Sequence, residues 1–177
     1  MRRSKKLEEI QARLPAGNAL TLRRVGPDDE EFLVALYAST REEELAQVEW
    51  AEGQKDQFLR WQYGLQRSEY QTRFPDADYY IVLMDNQAAG RIWIGRDHQQ
   101  IRLLDIALLP GFQNRGIGTI LIRRLIDEAS QTNKFLRHMV FVLNNDAHRF
   151  YEKLGFAVIE DLGAYKHMEW RPEGSSD

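Results

Sequence analysis

The stretch "LLPGFQNRGIGTILIRRLIDEA", Leu108 through Ala129, decides how the rest of the chain is read. A proline-marked turn runs through Gln113, Gly116 and Gly118 into an amphipathic helical pattern. Glycine is a poor residue with which to begin a helix unless another group must come close to the backbone there. The first N–H groups of a helix have no partner within it, and the dipole adds about half a positive charge at that end. Such an end takes anions. Without side chains at 116 and 118, a phosphate oxygen can reach those N–H groups. Gln113 and Asn114 offer further amide donors, and Arg115 brings a positive charge nearby. The same glycines would also permit tight helix–strand packing, the plainer account of an isolated G-x-G. The chain has neither GxxxxGK[ST] nor GxGxxG, so neither familiar nucleotide loop explains the stretch.

Outward from this point, alternation and helical spacing order the chain. Before the stretch lies the strand-like "QIRLLDIALL", preceded by "DYYIVLM" and "QAAGRIWIG" around Asp85-Asn86, a hairpin signal. Earlier, "ALTLRRV" reads as a strand and "GPDDEEFLVALYA" as a helix opened by Pro27 and Asp28. "QKDQFLRWQYGLQR" reads as a second helix, with Phe58, Trp61 and Leu65 on one face. After the glycine-initiated helix come the strand "HMVFVL", the short helix "NDAHRFYEKLG", and the strands "FAVIEDL" and "YKHMEW". The order is β, α, α, β, β, β, α, β, α, β, β. It predicts an α/β (α+β) architecture, a mixed sheet covered by helices, with the strands flanking the glycine helix parallel to each other.

The whole chain narrows the function classes. Its 177 residues suit one domain with a real core. The expected limits are a basic extension over 1–18, read as a terminal helix ending at Pro15 and Gly17, and one domain over 19–177. With 24 Lys+Arg against 27 Asp+Glu, the net charge of −3 gives no indication of a nucleic-acid partner. The absence of cysteine removes disulfides, thiolate zinc sites and a cysteine nucleophile. Histidines 98, 138, 148 and 167 lack metal-ligand spacing, so no metal is expected. No apolar run approaches the roughly 20 residues of a membrane span, and "MRRSKKLEEIQARLPAGN" has no hydrophobic core of a secretory signal. A soluble cytoplasmic protein is the expectation.

Gln113-Asn114-Arg115-Gly116-Ile117-Gly118 resembles the Q/R-x-x-G-x-G/A motif of the GNAT superfamily of N-acetyltransferases, placed between a strand and a long helix as in that family. Downstream, "NNDAHRFYEKLGF", Asn144 to Phe156, is similar to the family's N-x-x-A-x-x-x-Y-x-x-x-G-F segment. The resemblance covers roughly Leu20 to Trp170. It implies a mostly antiparallel sheet of about seven strands, splayed between the fourth and fifth, with about four flanking helices. It further implies transfer of an acetyl group from acetyl-coenzyme A to a primary amine of a small molecule or peptide. An acyl-coenzyme A-binding module without turnover is the alternative. Such folds often pair, so a homodimer is among the expected assemblies.

Carried over residue by residue, the resemblance puts the cofactor pyrophosphate on the backbone of Asn114, Arg115, Gly116, Ile117, Gly118 and Thr119, with Gln113 in the same motif. The pantetheine arm would follow Ile106, Ala107 and Leu108. Asn144 matches an asparagine that often contacts the cofactor, and Tyr151 a tyrosine that commonly protonates the leaving thiolate. A thiol near pKa 8.5 and a phenol near 10 would allow this without a large shift. The N–H of Leu108 is a candidate oxyanion donor. For the general base, Arg102 stands where some relatives have glutamate, and Met139 stands five residues before Asn144. Asp105 and His138 are the side chains available, and a water relay is the alternative to both. In "REEELAQVEWAEGQ", the carboxylates Glu43, Glu44 and Glu49 beside Trp50 could receive a cationic amine. A solvated helix face covering core aromatics explains the same pattern.

Overall fold

A computed structural model describes residues 11–14 and 16–174. Its centre is one sheet of eight strands: β1 (Gln11–Arg13), β2 (Ala19–Arg24), β3 (Asp78–Met84), β4 (Gln87–Arg96), β5 (Gln100–Leu108), β6 (Phe135–Phe141), β7 (Ala157–Asp161) and β8 (Tyr165–Trp170). They lie in the order β1-β2-β3-β4-β5-β6-β8-β7. Every pairing is antiparallel except β5 with β6, which flank the glycine helix as expected. The helices are α1 (Glu30–Thr40), α2 (Glu42–Leu45), α3 (Gln54–Arg73), α4 (Ile117–Thr132) and α5 (Asn145–Lys153). Helices α4 and α5 pack on one face of the sheet with Ile92, Ile94, Leu103 and Leu136; α1, α2 and α3 cover the other around Trp93 and Leu104.

Two sequence expectations change. Residues 1–10 of the expected terminal helix lie outside the described residues, but Gln11–Arg13 is a strand, paired antiparallel to Thr21–Ala19. Buried Leu14 follows it into the core, and the chain turns back at Gly17, whose φ is 90°. Pairing with the edge of β2 is a long-range gain that a local helical reading cannot weigh. Second, Phe58, Trp61 and Leu65 are not the core face of α3: Leu59 and Tyr63 are buried, whereas Trp61 is 60% and Leu65 52% exposed. The hairpin holds its expected place, with Asp85 and Asn86 both left-handed (φ 48° and 64°), as a primed two-residue turn requires. Phe58 shares its face with Trp61, their ring centroids 6.2 Å apart, and packs partly against the core, so only the Trp61 and Leu65 end of that face is open. The strand expected to begin at His138 starts three residues earlier, at Phe135.

One irregularity shapes the functional region. Trp93 pairs with Asp105 but Ile94 with Leu103, so Leu104 is an extra residue in β5, a bulge. Its carbonyl accepts a hydrogen bond from the Tyr70 hydroxyl at 3.1 Å. Pairing of β5 with β6 runs from Gln100–Phe135 to Leu103–His138 and ends there. Beyond the bulge, β5 stays with β4 while β6 stays with β8, and the sheet opens into a V.

Candidate active site

One wall of the V is made of backbone. Leu109 N–H donates to Ala89 carbonyl at 2.9 Å, and the register pairs Gly90 with Leu108 and Arg91 with Ala107. In an antiparallel ladder, bonded and non-bonded pairs alternate. Ala107 therefore bonds toward β4, whereas Ile106 and Leu108 turn their N–H and C=O groups toward the opening. Of the three residues expected to line a pantetheine track, these two are oriented for it. Gly90 allows the close β4–β5 contact: a Cβ there would stand 2.2 Å from the Ala107 carbonyl oxygen.

The glycine turn continues this wall. The Gln113 side chain donates to the Leu108 carbonyl at 2.9 Å, tying the turn to the strand end. Asn114 (φ 57°) and Gly116 (φ 84°) are left-handed, and Gly116 opens α4 with no side-chain cap on its N–H groups. Ile117 anchors this end in the core, 1% exposed, while Arg115 is exposed with its guanidinium 5.8 Å from the Phe112 ring centroid. A Cβ on Gly118 would make only ordinary contact, 3.6 Å from Phe150. Internal packing therefore does not demand glycine at 118. The uncapped first turn from Ile117 through Thr119 is a cradle for an anion. Asn144 caps α5, accepting from the Ala147 N–H at 3.0 Å, so it has a structural duty whatever else it touches.

Tyr151 and His138 meet beneath the V, their ring centroids 4.9 Å apart. Burial, with a smaller contribution from the Asp105 charge, pushes the Tyr151 phenol well above its ordinary value. The expectation of an acid needing no large shift is not met: neutral phenol is strongly favoured, suiting it to hydrogen-bond donation. His138 Nδ1–H donates to the Leu103 carbonyl at 2.8 Å, which fixes the tautomer and leaves Nε2 as the lone-pair nitrogen. Burial holds this imidazole below its ordinary value, against opposing contributions from the Leu103 carbonyl and Asp105. It is therefore neutral at pH 7. Asp105 accepts from buried Arg91 at 2.6 Å, which in turn donates to Gln66 at 2.9 Å. Its carboxylate is already committed to a guanidinium only 1% exposed.

On the other side, a cleft of about 710 Å³ opens between α3 and the β5, β6 and β8 strands. Trp61, Leu65, Tyr70, Phe74, Met139 and Tyr165 form its walls, with His138 and Arg102 near the base of the V. Glu43, Glu44, Glu49 and Trp50 are not among its lining residues. Glu44 pairs with Arg41 at 2.7 Å, and Trp50 packs on Phe58 while its indole N–H bonds the Leu45 carbonyl at 3.0 Å. Of the aromatics Trp50, Trp61, Tyr63 and Tyr70 that the sequence offers as an acceptor wall, Trp61 and Tyr70 line the cleft, whereas Tyr63 is buried and Trp50 is not among the lining residues. Among the described residues no group of three or more His, Asp or Glu is placed to hold a metal, and no helix is long and apolar enough to cross a membrane.

Comparison with known proteins follows the same lines. The model of the Acetyltransferase (GNAT) family matches residues 33–156. The curated protein "Uncharacterized N-acetyltransferase CgeE" of Bacillus subtilis is 26% identical over 102 residues, 53% of this chain. The match spans only 39% of that longer protein. Among solved structures, PaiA N-acetyltransferase from Thermoplasma acidophilum, in complex with coenzyme A, superposes with a TM-score of 0.65 at 20% identity, covering 86% of this chain and 98% of that one. Arabidopsis thaliana Naa50, in complex with the bisubstrate analogue CoA-Ac-MVNAL, gives 0.56 at 15% identity over 85% and 96% of the two chains. Salmonella typhimurium YncA with its cofactor acetyl-CoA gives 0.54 at 18% identity, with 89% and 96% covered.

Proposed function

The chain belongs to the GNAT family of acetyltransferases, and from that premise we propose that it transfers the acetyl group of acetyl-coenzyme A to a primary amine by direct attack in a ternary complex. The observation that carries this reading is the continuity of two open backbone surfaces. The open edge of Ile106 and Leu108 runs through the Gln113 tie into the uncapped N-terminus of α4. An extended amide-bearing chain ending in a pyrophosphate fits that sequence of groups. The coenzyme A complex of the Thermoplasma protein and the acetyl-CoA complex of the Salmonella protein support the choice of donor.

In this reading the N–H groups from Asn114 to Thr119 hold the pyrophosphate, and the Ile106 N–H and C=O hold the pantetheine amides, with the Leu108 carbonyl tied to Gln113. When bound, the donor supplies an acetyl thioester. The Leu108 N–H faces the opening and donates to the oxygen on which charge develops. The His138 Nε2 lone pair takes the proton lost by the amine as its new carbon–nitrogen bond forms. His138 is favoured over Asp105 because the Asp105 carboxylate is held by Arg91. The Tyr151 hydroxyl donates to the sulfur as the carbon–sulfur bond breaks. The proton taken up by His138 then passes back to Tyr151, so neutral amine and thioester become an amide and the free thiol of coenzyme A with both side chains restored.

We also propose self-association. Edge strand β7 is exposed along its length, Val158 and Ile159 included, and Phe141, Leu143 and Leu162 are further exposed apolar side chains at the end of β6 and after β6 and β7. Sedimentation would read this directly.

The test of function is release of free thiol from acetyl-coenzyme A with a panel of primary amines, with amide product identified by mass. Coenzyme A binding without thiol release from any amine would leave a non-catalytic acyl-coenzyme A-binding module. Failure to bind coenzyme A would remove the donor assignment altogether.

A further inference from the structure

We propose that the acceptor amine of this enzyme carries a carboxylate, and that Arg102 is the residue that receives it. The inference rests on the acetyltransferase reading above and deepens it by assigning the substrate class.

The charges around the cleft point this way. Its lining contains one carboxylate, Glu69, and two guanidiniums, Arg73 and Arg102. Glu69 is already paired with Arg73 at 3.0 Å. Arg102 has no ion pair or side-chain hydrogen bond among the described residues, and its Nε is buried without a partner. Its one close contact of note is the Phe74 ring, 5.7 Å from the guanidinium carbon. The other arginines of the neighbourhood are satisfied. Arg137 donates to Glu169 at 2.6 Å and to Gln100 at 3.2 Å, and Arg96 bonds both Glu128 and Asp78. Arg102 is the cation left over.

Its surroundings sharpen the point. Burial, then the positive charges of Arg137 and Arg73, pull the Arg102 pKa below its ordinary value, with only Asp97 opposing. Asp97 is itself occupied by the N–H groups of Gln99 and Gln100. His167, pressed downward by burial and by Arg102 and Arg137, adds no negative charge. A guanidinium half-removed from water needs an anion with planar acceptors, and a carboxylate supplies two oxygens in the right arrangement. Position completes the case. Arg102 lies one residue before Leu103, whose carbonyl orients His138, so the cation stands beside the point where the V opens. An amine presented to His138 with a carboxylate on the same small molecule can reach Arg102. A polycation would meet two guanidiniums and one neutralised carboxylate, which is a repulsive surface.

The experiment uses the whole chain with acetyl-coenzyme A and matched triples: an amino acid, its carboxamide, and the amine lacking the carboxyl group. L-phenylalanine, L-phenylalaninamide and 2-phenylethylamine form one triple; others span small, aliphatic and cationic side chains. Wild type and the Arg102→Gln and Arg102→Lys variants are compared by kcat/KM. In the best triple, wild type should favour the acid over both neutral analogues. Arg102→Gln should lower kcat/KM for the acid about 10- to 100-fold, the scale of a charge-assisted bidentate contact, while leaving the analogues within about twofold. Comparing variants on the same substrates cancels differences in amine basicity. Arg102→Lys should recover part of the preference. Acetylation of the analogues as well as the acid by wild type, or equal loss on all three in Arg102→Gln, would overturn the proposal. Calorimetric titration of the same triples into the coenzyme A-bound protein separates the two readings. If no amine is turned over, acetyl transfer fails, yet Arg102-dependent binding of the acid alone still upholds the anion site, and its absence refutes it.

Discussion

The two walls of the V are built on different principles. On the proposed donor side the wall is backbone: the free edge of β5 and the open end of α4, entered through left-handed Gly116. The acceptor side is side chains, drawn from α3, β5, β6 and β8. A backbone surface recognises what is common to every acyl-coenzyme A, and few residue types can build it. A side-chain surface recognises one acceptor among many and can be rewritten at each position without disturbing the sheet. The difference teaches where to look for general chemistry and where for specificity.

The comparison can be broken most severely at the joint between the walls. Asp105→Asn leaves Arg91, 2% exposed in its side chain, without its charge partner. Loss of one member of such a pair costs about 3 kcal/mol, visible as a fall of roughly 9 °C in Tm for a chain of this size. The remaining folded protein should keep an acid limb, moved to lower pH because the Asp105 charge no longer favours the His138 imidazolium; loss of the limb would return Asp105 to the chemistry. On the donor side, Gly118→Leu should weaken coenzyme A binding about 100-fold through loss of charge-assisted bonds to the first turn, with Tm little changed. Unaltered affinity by calorimetry would remove the anion cradle.

Between the walls, His138→Gln should lower kcat about 100-fold at neutral pH, within the usual range for a general base. Because burial holds the His138 pKa below 6.5, wild-type activity should rise with pH through a value below 6.5 and be level above it. The variant should lack that limb. The same sign governs stability. The unfolded chain takes up a proton on this residue more readily than the folded one, so stability falls as pH drops below 6.5, and less so in His138→Gln. Tyr151→Phe should lower kcat about 10-fold with coenzyme A affinity unchanged. With its phenol raised by burial, Tyr151 should add no alkaline limb below pH 10. The smallest effect is expected at Glu43, Glu44 and Glu49. Gln at all three should change kcat/KM for any accepted amine by less than about twofold, because exposed charges remote from the cleft act only through screened fields. A larger change would extend the acceptor wall to α2 and the loop after it.

The order of elements, the hairpin at Asp85-Asn86 and the glycine-opened helix were all legible in the residues, because each depends on local rules: alternation, left-handed turn positions, and helix ends without caps. The left-handed turn into α4 at Gly116 was legible for the same reason, while Asn144 and Tyr151 entered as candidates only through the family resemblance of their segment. The strand at Gln11–Arg13 was not, since its pairing partner lies on β2 and no local pattern reports a distant edge.

The sequence alone determined the glycine-opened start of α4 on which the proposed donor wall rests, because such a backbone turn needs particular residues in a fixed local order, and that order survives as a motif. Tertiary structure alone decided the rest. It placed the bulge at Leu104 that opens the sheet, turned Trp61 and Leu65 from apparent core to cleft wall, and bound Asp105 to Arg91. It also left Arg102 without a counter-charge. Each of these depends on which distant side chains meet across the sheet, and burial and charge balance are properties of that meeting rather than of any residue or its neighbours in the chain.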